Sequence, residues 1–277
     1  MKITDFIKSN EHYFEDFITR STYHSNAIEG NTLSYAETYA ILFNDNNFSI
    51  TATAREIYEA INHKYALSYI IEHSDLPLSE KIIKDIAINI NKNILDISGY
   101  RKTQVFIRGA EHIPPAPNVL NQTMMYFVHN YNNTKYQSIY EKIAVNHIEL
   151  EKIHPFNDGN GRTGRLIVNL ELLKNNLPPI VIPKEDRTLY FKLISNGNSD
   201  ELSKYFKILS EKELKRIALF PKSAEQEPSL PNPLDTLDTI EAYEAEIARI
   251  RAEKQKLPTV ADTPQRNEKP KSNNHER

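Results

Sequence analysis

The sequence predicts a mainly α-helical protein with one small β element. Apolar residues recur every three or four positions through most of residues 1–220, which is the spacing of one face of an α-helix. Residues 103–107 instead alternate β-branched and aromatic residues with polar ones, and Gly109 is suited to a turn. This stretch predicts a short strand or hairpin that ends at Pro114 and Pro115.

The helices are predicted in chain order from these apolar stripes. A first helix carries Ile3, Phe14 and Ile18, and a second begins at the capping box formed by Ser34 and Glu37. Five further stripes lie within residues 57–71, 82–90, 124–128, 143–154 and 166–173.

The chain divides into three predicted parts. Residues 1–95 are N-terminal helices, and residues 96–220 form a helical core that includes the hairpin. Residues 221–277 hold seven of the 15 prolines and many polar residues, which predicts a mostly disordered tail. Apolar residues at heptad-like positions within 240–257 allow one short helix there, which either binds a partner or frays alone.

Composition limits the function classes. The net charge of -3 offers no general attraction to DNA, so we expect no DNA partner. The chain has no cysteine, which excludes disulfides and thiolate chemistry. No run of about 18 apolar residues and no secretion signal is visible, so we expect no membrane partner and a cytoplasmic location. A protein delivered into another cell would have the same composition.

The most informative segment is residues 154–165, HPFNDGNGRTGR, which contains three of the seven glycines in the chain. Glycine allows a backbone to approach a ligand closely, and successive N–H groups in such a turn form an anion-binding nest. A helix predicted to begin near Arg162 adds the positive end of its dipole. Arg162 and Arg165 would supply guanidinium groups, so the segment predicts a polyphosphate site.

Two side chains of this segment could carry chemistry. Asp158 supplies a hard oxygen ligand, and Mg²⁺ bound to phosphates needs only one or two carboxylates. His154 can accept a proton near neutral pH, which an attacking hydroxyl group must lose.

Two other phosphate-binding patterns do not fit. Gly159, Gly161 and Gly164 match G-x-G-x-x-G, but a dinucleotide fold requires a strand before this pattern, and a helix carrying Leu150 precedes it. The P-loop pattern also fails, because no Gly-Lys-Ser/Thr follows.

Residues 154–165 resemble the signature of Fic-domain proteins, H-P-F-x-[DE]-G-N-G-R-x-x-R, at every fixed position. The likeness covers roughly residues 20–215, with residues 99–115 similar to the flap of the family. It implies a Fic-type helical core with a β-hairpin flap. It also implies transfer of AMP from ATP, assisted by Mg²⁺, to a Ser, Thr or Tyr hydroxyl group of a target protein.

The resemblance also implies roles for individual residues. His154 would be the general base and Asp158 the metal ligand. The nucleotide-binding residues would be Gly159, Asn160, Gly161, Arg162 and Arg165, with Tyr190 and Asn198 expected to line the adenine pocket. The flap residues that would pair with the target by strand addition are Thr103, Gln104, Val105, Phe106, Ile107 and Arg108.

A second motif lies near the N-terminus. Residues 25–30, SNAIEG, resemble the inhibitory motif [ST]-x-x-x-E-[GN] of one Fic subgroup, which begins at Ser25 here. In that subgroup the glutamate forms a salt bridge with the second arginine of the signature. The resemblance therefore implies an inhibitory helix at about residues 21–31 and a Glu29–Arg165 pair.

Several alternatives remain open at this point. The same site could use another nucleotide or remove AMP from a modified protein. A non-enzymatic nucleotide sensor is a third hypothesis, but such a sensor would not need His154. A DNA-binding winged helix is disfavoured by the proline-rich tail. The target is not readable from the sequence, and the resemblance allows a homodimer.

Overall fold

The computed structural model describes residues 1–43, 50–107 and 112–220. This part of the chain contains ten α-helices, two short 3-10 turns at Pro117–Val119 and Lys184–Asp186, and no β-strand. The helices are α1 (Ile3–Ser9), α2 (Glu11–Ile28), α3 (Tyr35–Phe43), α4 (Ala54–Glu72), α5 (Glu80–Asn91), α6 (Leu120–Asn133), α7 (Ile139–Ile153), α8 (Asn160–Lys174), α9 (Arg187–Ser195) and α10 (Ser199–Ile217). The predicted mainly α-helical class is confirmed.

The first predicted helix is in fact two helices, so that prediction was wrong. Asn10 has an extended backbone between α1 and α2, and its side chain accepts a hydrogen bond from the N–H of Tyr13 at 3.0 Å. Asparagine favours this capping position over a helix interior, because its amide oxygen replaces a missing backbone partner. The apolar stripe continues across the break because both helices pack on the same core.

The second predicted start is confirmed. Ser34 Oγ accepts from the N–H of Glu37, and the Glu37 carboxylate accepts from the N–H of Ser34. The same reciprocal pair, formed by Thr53 and Glu56, begins α4. These caps satisfy N–H groups that a helix terminus otherwise leaves without partners.

Helix α8 lies at the centre of the fold. It packs against α2, α4, α5 and α7, and nearly all of its residues are buried. Helix α10 covers the other side of α7. Residues of both predicted parts, 1–95 and 96–220, contribute to one hydrophobic core, which includes Phe17, Leu67, Ile86 and Leu170. The N-terminal helices can therefore place side chains directly against the glycine-rich loop.

The predicted strand is absent from residues 103–107, so this part of the hairpin prediction was wrong. Side chains bind the carbonyl groups that a strand partner would use: Arg101 donates to Thr103 O at 2.9 Å, and Gln104 donates to Val105 O at 3.2 Å. The β-pattern of this segment has no neighbouring strand within the described residues with which to pair. Arg108 and Gly109 lie outside the described residues, as does the predicted tail from 221 to 277.

The length and hydropathy of a helix determine whether it can span a membrane. None of the helices within the three described ranges combines the length and the apolar character needed to cross a bilayer.

The break at Asn10 predicts a measurable effect on stability. Replacing Asn10 with Ala removes the cap of α2 and should lower the free energy of unfolding by about 1 kcal/mol. Urea denaturation followed by circular dichroism measures this loss. Asn10→Asp keeps a capping oxygen and should retain most of the stability; an equal loss in both variants would contradict the capping role.

Candidate active site

The glycine-rich loop connects α7 to α8 and begins at His154. This residue has a left-handed backbone, with φ 50° and ψ 61°, and ends α7. The buried side chain of Arg101 donates from Nε to His154 O at 2.9 Å, and the Arg101 N–H donates to Pro155 O at 2.9 Å. Arg101 therefore holds the loop in place, a role that sequence analysis missed because it assigned residues 99–115 to the flap only.

The protonation state of His154 is set by its surroundings. Burial lowers the pKa of His154 below its ordinary value, and the positive charge of Arg101 contributes in the same direction. The imidazole is therefore mainly neutral at pH 7, which is the form that can accept a proton.

Asn160 stabilises the loop from within. Its side chain accepts from the N–H of Phe156 at 2.9 Å and donates to Phe156 O at 2.8 Å. Phe156 is itself 1% exposed and anchors the loop in the core. The amide of Asn160 is thus occupied by the loop, so its backbone is the part available to a ligand. Gly159 before it has φ 76°, a conformation that favours glycine.

The two arginines of the segment have different partners. Helix α8 begins at Asn160, two residues before the predicted start, and Arg162 and Arg165 are both buried. Arg162 lies 3.2 Å from Glu59 and 3.3 Å from Asp158. Glu59 belongs to α4 and was not singled out from the sequence.

Arg165 is bound by the end of α2. Its Nε donates to Ser25 Oγ at 3.0 Å, and its Nη2 donates to Ser25 O at 3.0 Å and to Glu29 Oε1 at 2.7 Å. The structure therefore brings together the three residues that the resemblance related. The predicted inhibitory segment, residues 21–31, is the last part of α2 and the turn after it.

Glu29 lies at the N-terminus of α8. Its carboxylate is so close to Gly161 that a methyl group there would overlap Oε1. A helix N-terminus attracts anions, so Glu29 occupies the position that suits a phosphate group. Arg187 holds this end of α2 by donating from Nε to Ile28 O at 2.7 Å. The sequence around Arg187 contains no pattern that predicts this contact.

Both oxygens of the Asp158 carboxylate have partners. Oδ1 accepts from the N–H of Gly159 at 2.6 Å and lies 3.3 Å from Arg162 Nη2, while Oδ2 accepts from Arg55 of α4. Within the described ranges, no group of three or more His, Asp or Glu side chains could hold a metal unaided. One carboxylate that is 28% exposed still fits Mg²⁺, because phosphates and water supply most ligands of this ion.

The predicted adenine-pocket residues lie in different surroundings. Tyr190 is fully buried, its hydroxyl group lies 2.6 Å from His147 Nε2, and its ring lies beside Arg165. Burial lowers the pKa of His147 to about 3, so His147 is a neutral packing partner rather than a second base. Asn198 is exposed, and its side chain caps α10 by accepting from the N–H of Glu201 at 3.2 Å. Contact of Tyr190 or Asn198 with adenine stays a prediction.

The flap segment runs beside the loop. Thr103 Oγ1 is 3.4 Å from Asn157 Oδ1, and Phe106 is 75% exposed. Residues 103–107 are thus accessible next to the segment that carries His154.

Glu151 is a half-buried acid that the sequence did not reveal. It lies one helical turn before His154, and its Oε1 is enclosed without a hydrogen-bond partner among the described residues. Burial raises the pKa of Glu151 to about 7, and the nearby Glu29 carboxylate adds to this effect. The side chain therefore changes from mainly protonated to mainly ionised as pH rises through neutrality.

This elevated pKa predicts how stability depends on pH. Because the folded protein holds a proton on Glu151 that the unfolded chain loses near pH 4.5, the stabilisation is present at low pH and is lost as pH rises through about 7. Between pH 5 and pH 8, ionisation of Glu151 should lower the free energy of unfolding of the wild type by up to about 3 kcal/mol. The Glu151→Gln variant has no carboxyl group at this position and should lack this decrease. Urea denaturation at both pH values measures this.

Glu149→Gln is the matched control, because Glu149 is exposed on the same helix and should leave the pH dependence unchanged. Identical pH dependence in wild type and Glu151→Gln would contradict the raised pKa.

Comparison with known proteins identifies what the chain resembles. The model of the Fic/DOC family matches residues 77–172. The curated protein adenylyltransferase Fic of Nematostella vectensis is 33% identical over 198 residues, which are 68% of this chain and 45% of that protein. Its counterpart from Drosophila melanogaster is 32% identical over 211 residues, 72% of this chain and 41% of that protein. The chain spans less than half the length of these curated relatives.

Solved structures give the same result for the fold. A Fic domain-containing signaling protein from Bacteroides thetaiotaomicron superimposes with a TM-score of 0.65 at 25% identity, over 76% of this chain and 88% of the other. Fic-1 (residues 134–508) from C. elegans superimposes with a TM-score of 0.63 at 28% identity, over 75% and 63% of the respective chains.

Proposed function

Since this chain belongs to the Fic-domain family, we propose that it transfers AMP from ATP to a hydroxyl side chain of a target protein and that it inhibits itself. One observation carries the proposal. A half-buried, mainly neutral His154 lies at the start of a loop that leads into the N-terminus of α8, where Arg165 already binds a carboxylate. The same place would bind the phosphate groups of ATP.

The phosphates of ATP would bind at the first turn of α8. Backbone N–H groups of Asn160 and Gly161 and the guanidinium groups of Arg162 and Arg165 provide donors and positive charge there, whereas the N–H of Gly159 could join them only after it leaves Asp158. Mg²⁺, held by Asp158, would neutralise part of the phosphate charge.

In the transfer step, the hydroxyl oxygen of the target attacks the α-phosphorus of ATP. The bond from this phosphorus to the bridging oxygen breaks, and pyrophosphate leaves. His154 accepts the proton that the hydroxyl group loses. Because only neutral imidazole can do so, the rate should rise with pH through the lowered pKa of His154.

Glu29 would inhibit this reaction by competition. Arg165 donates its Nη2 to Glu29, and the carboxylate lies against Gly161, where a phosphate would otherwise bind. Both anions cannot hold this position together. ATP would therefore bind productively only after the end of α2 moves or Glu29 turns away.

Removal of AMP from a modified protein is the second candidate, favoured by the position of Glu29. Its side chain is 33% exposed at the phosphate end of the site, where a carboxylate could orient a water molecule. For either reaction, the exposed segment at 103–107 beside the loop is our candidate for contact with the target. A cytoplasmic location stays part of the proposal.

The general-base role predicts the behaviour of His154→Ala. In a Glu29→Gly background, this change should reduce transfer of labelled AMP to proteins of a cell lysate by about 10²–10⁴-fold while leaving ATP affinity nearly unchanged. Radiolabelling with mass spectrometry of the products, and titration with a fluorescent ATP analogue, measure the two quantities.

The exposed His129 supplies the control, since His129→Ala should retain full transfer. Undiminished labelling by His154→Ala would refute the assignment.

The inhibitory contact predicts that Glu29→Gly increases transfer roughly 10-fold or more, because a charge-assisted hydrogen bond to Arg165 no longer competes with phosphate. Arg165→Ala should not reproduce the gain, since it removes the phosphate contact together with the block. Initial rates at fixed ATP compare wild type, each single variant and the double variant. Equal rates for wild type and Glu29→Gly would refute autoinhibition but leave the transferase assignment standing.

A further inference from the structure

We propose that Arg55 is a second inhibitory residue, which occupies the oxygen of Asp158 that a divalent cation needs. The inference rests on the proposed function, because it concerns the metal end of the same site. Arg55 lies on α4, outside the matched family segment and 103 positions from Asp158.

The contacts of Asp158 show why Arg55 competes with a cation. Oδ1 is bound within the loop by the N–H of Gly159 and faces Arg162. Oδ2 is the oxygen left over, and the Arg55 guanidinium binds it. A hard cation would need this same oxygen, and the guanidinium charge would also repel it.

Helix stability explains an arginine at position 55 only in part, through its i,i+4 pair with Glu59, in which the basic residue precedes the acidic one and the stabilisation is the smaller. Arg55 is the second residue of α4, where the positive end of the helix dipole disfavours a basic side chain. Its side chain is 57% exposed, so it contributes little to the core. The contact with Asp158 therefore accounts for this residue better than local structure does.

The orientation of Arg55 is set by a buried partner. Its Nε donates to Glu59 Oε1 at 3.1 Å, and Glu59 is 7% exposed. The other carboxylate oxygen of Glu59 accepts from Asn31 Nδ2 at 2.9 Å. Asn31 follows Glu29 by two positions, so Glu59 connects the inhibitory segment to the arginine that blocks Asp158.

Two ion pairs thus occupy the groups that ligands would need, one at each end of the site. Glu29 occupies Arg165 at the phosphate end, and Arg55 occupies Asp158 at the metal end. A cation must displace Arg55 before it can bind, so Arg55 raises the cation concentration that the site requires.

Because phosphates supply most ligands of the cation, the test measures the Mn²⁺ concentration that half-saturates binding of a fluorescent, non-hydrolysable ATP analogue to the full chain in a Glu29→Gly background. Arg55→Gln should lower the half-saturating Mn²⁺ concentration about 5-fold or more, as expected for loss of a partly exposed ion pair together with its repulsion. Arg216→Gln removes the same charge from another partly exposed arginine, which pairs with Asp16, and should leave Mn²⁺ binding unchanged.

Two results would overturn the proposal. One is an unchanged half-saturating concentration in Arg55→Gln, and the other is a half-saturating concentration in Asp158→Asn equal to that of the Glu29→Gly parent. No transfer step enters this measurement. A lower half-saturating Mn²⁺ concentration in Arg55→Gln would therefore support this proposal even if no AMP transfer were found. An unchanged concentration would refute this proposal and leave the transferase proposal intact.

Discussion

The buried guanidinium of Arg165 is the group on which the rest of the site depends. Its side chain is only 7% exposed, and burial of an unpaired charge costs far more than burial of a paired one. The end of α2 supplies the partners, two oxygens of Ser25 and the carboxylate of Glu29. The surrounding histidines stay neutral, because burial and the charge of Arg165 lower the pKa of both His63 and His147 to about 3. The need of this buried charge for partners therefore couples the end of α2 to a residue of α8 that lies 136 positions after Glu29.

The rigidity of the loop has a separate origin. Its ends are fixed by α7 and α8, and its interior is bound by Arg101 from one side and by Asn160 from the other. The anchor Phe156 is buried in the common core. Because these contacts are made by residues of the fold itself, the donors at the N-terminus of α8 are already arranged before a ligand arrives. A site arranged in this way loses little entropy on binding charged groups.

Helix α4 links the two ends of the site. Positive and negative charges alternate in the group formed by Arg55, Asp158, Arg162 and Glu59. Glu59 also binds Asn31, which lies in the turn after α2. Ion pairs between partly exposed groups contribute little stability individually. Their importance here lies in their position, since a movement of the turn after α2 would remove a partner from Glu59 and so affect both arginines.

The sequence alone predicted the helical class, the capping box at Ser34 and the glycine-rich loop before a helix, because each depends on residues within a few positions of one another. Predictions from local patterns were wrong where contacts with distant residues determine the backbone conformation. Asn10 interrupts a continuous apolar stripe, and residues 103–107 carry a β-pattern with no strand beside them among the described residues.

The pairing of Glu29 with Arg165 came from family resemblance, since the intervening residues contain no signal for it. No sequence pattern indicated the contacts of Arg55, Arg101, Arg187 and Glu151. A charged side chain has the same sequence pattern whether it faces water or a buried partner. Only the packing of the helices around α8 decided what each of these side chains contacts. The physical reason is that such contacts join residues distant in sequence, whose proximity is a property of the whole fold.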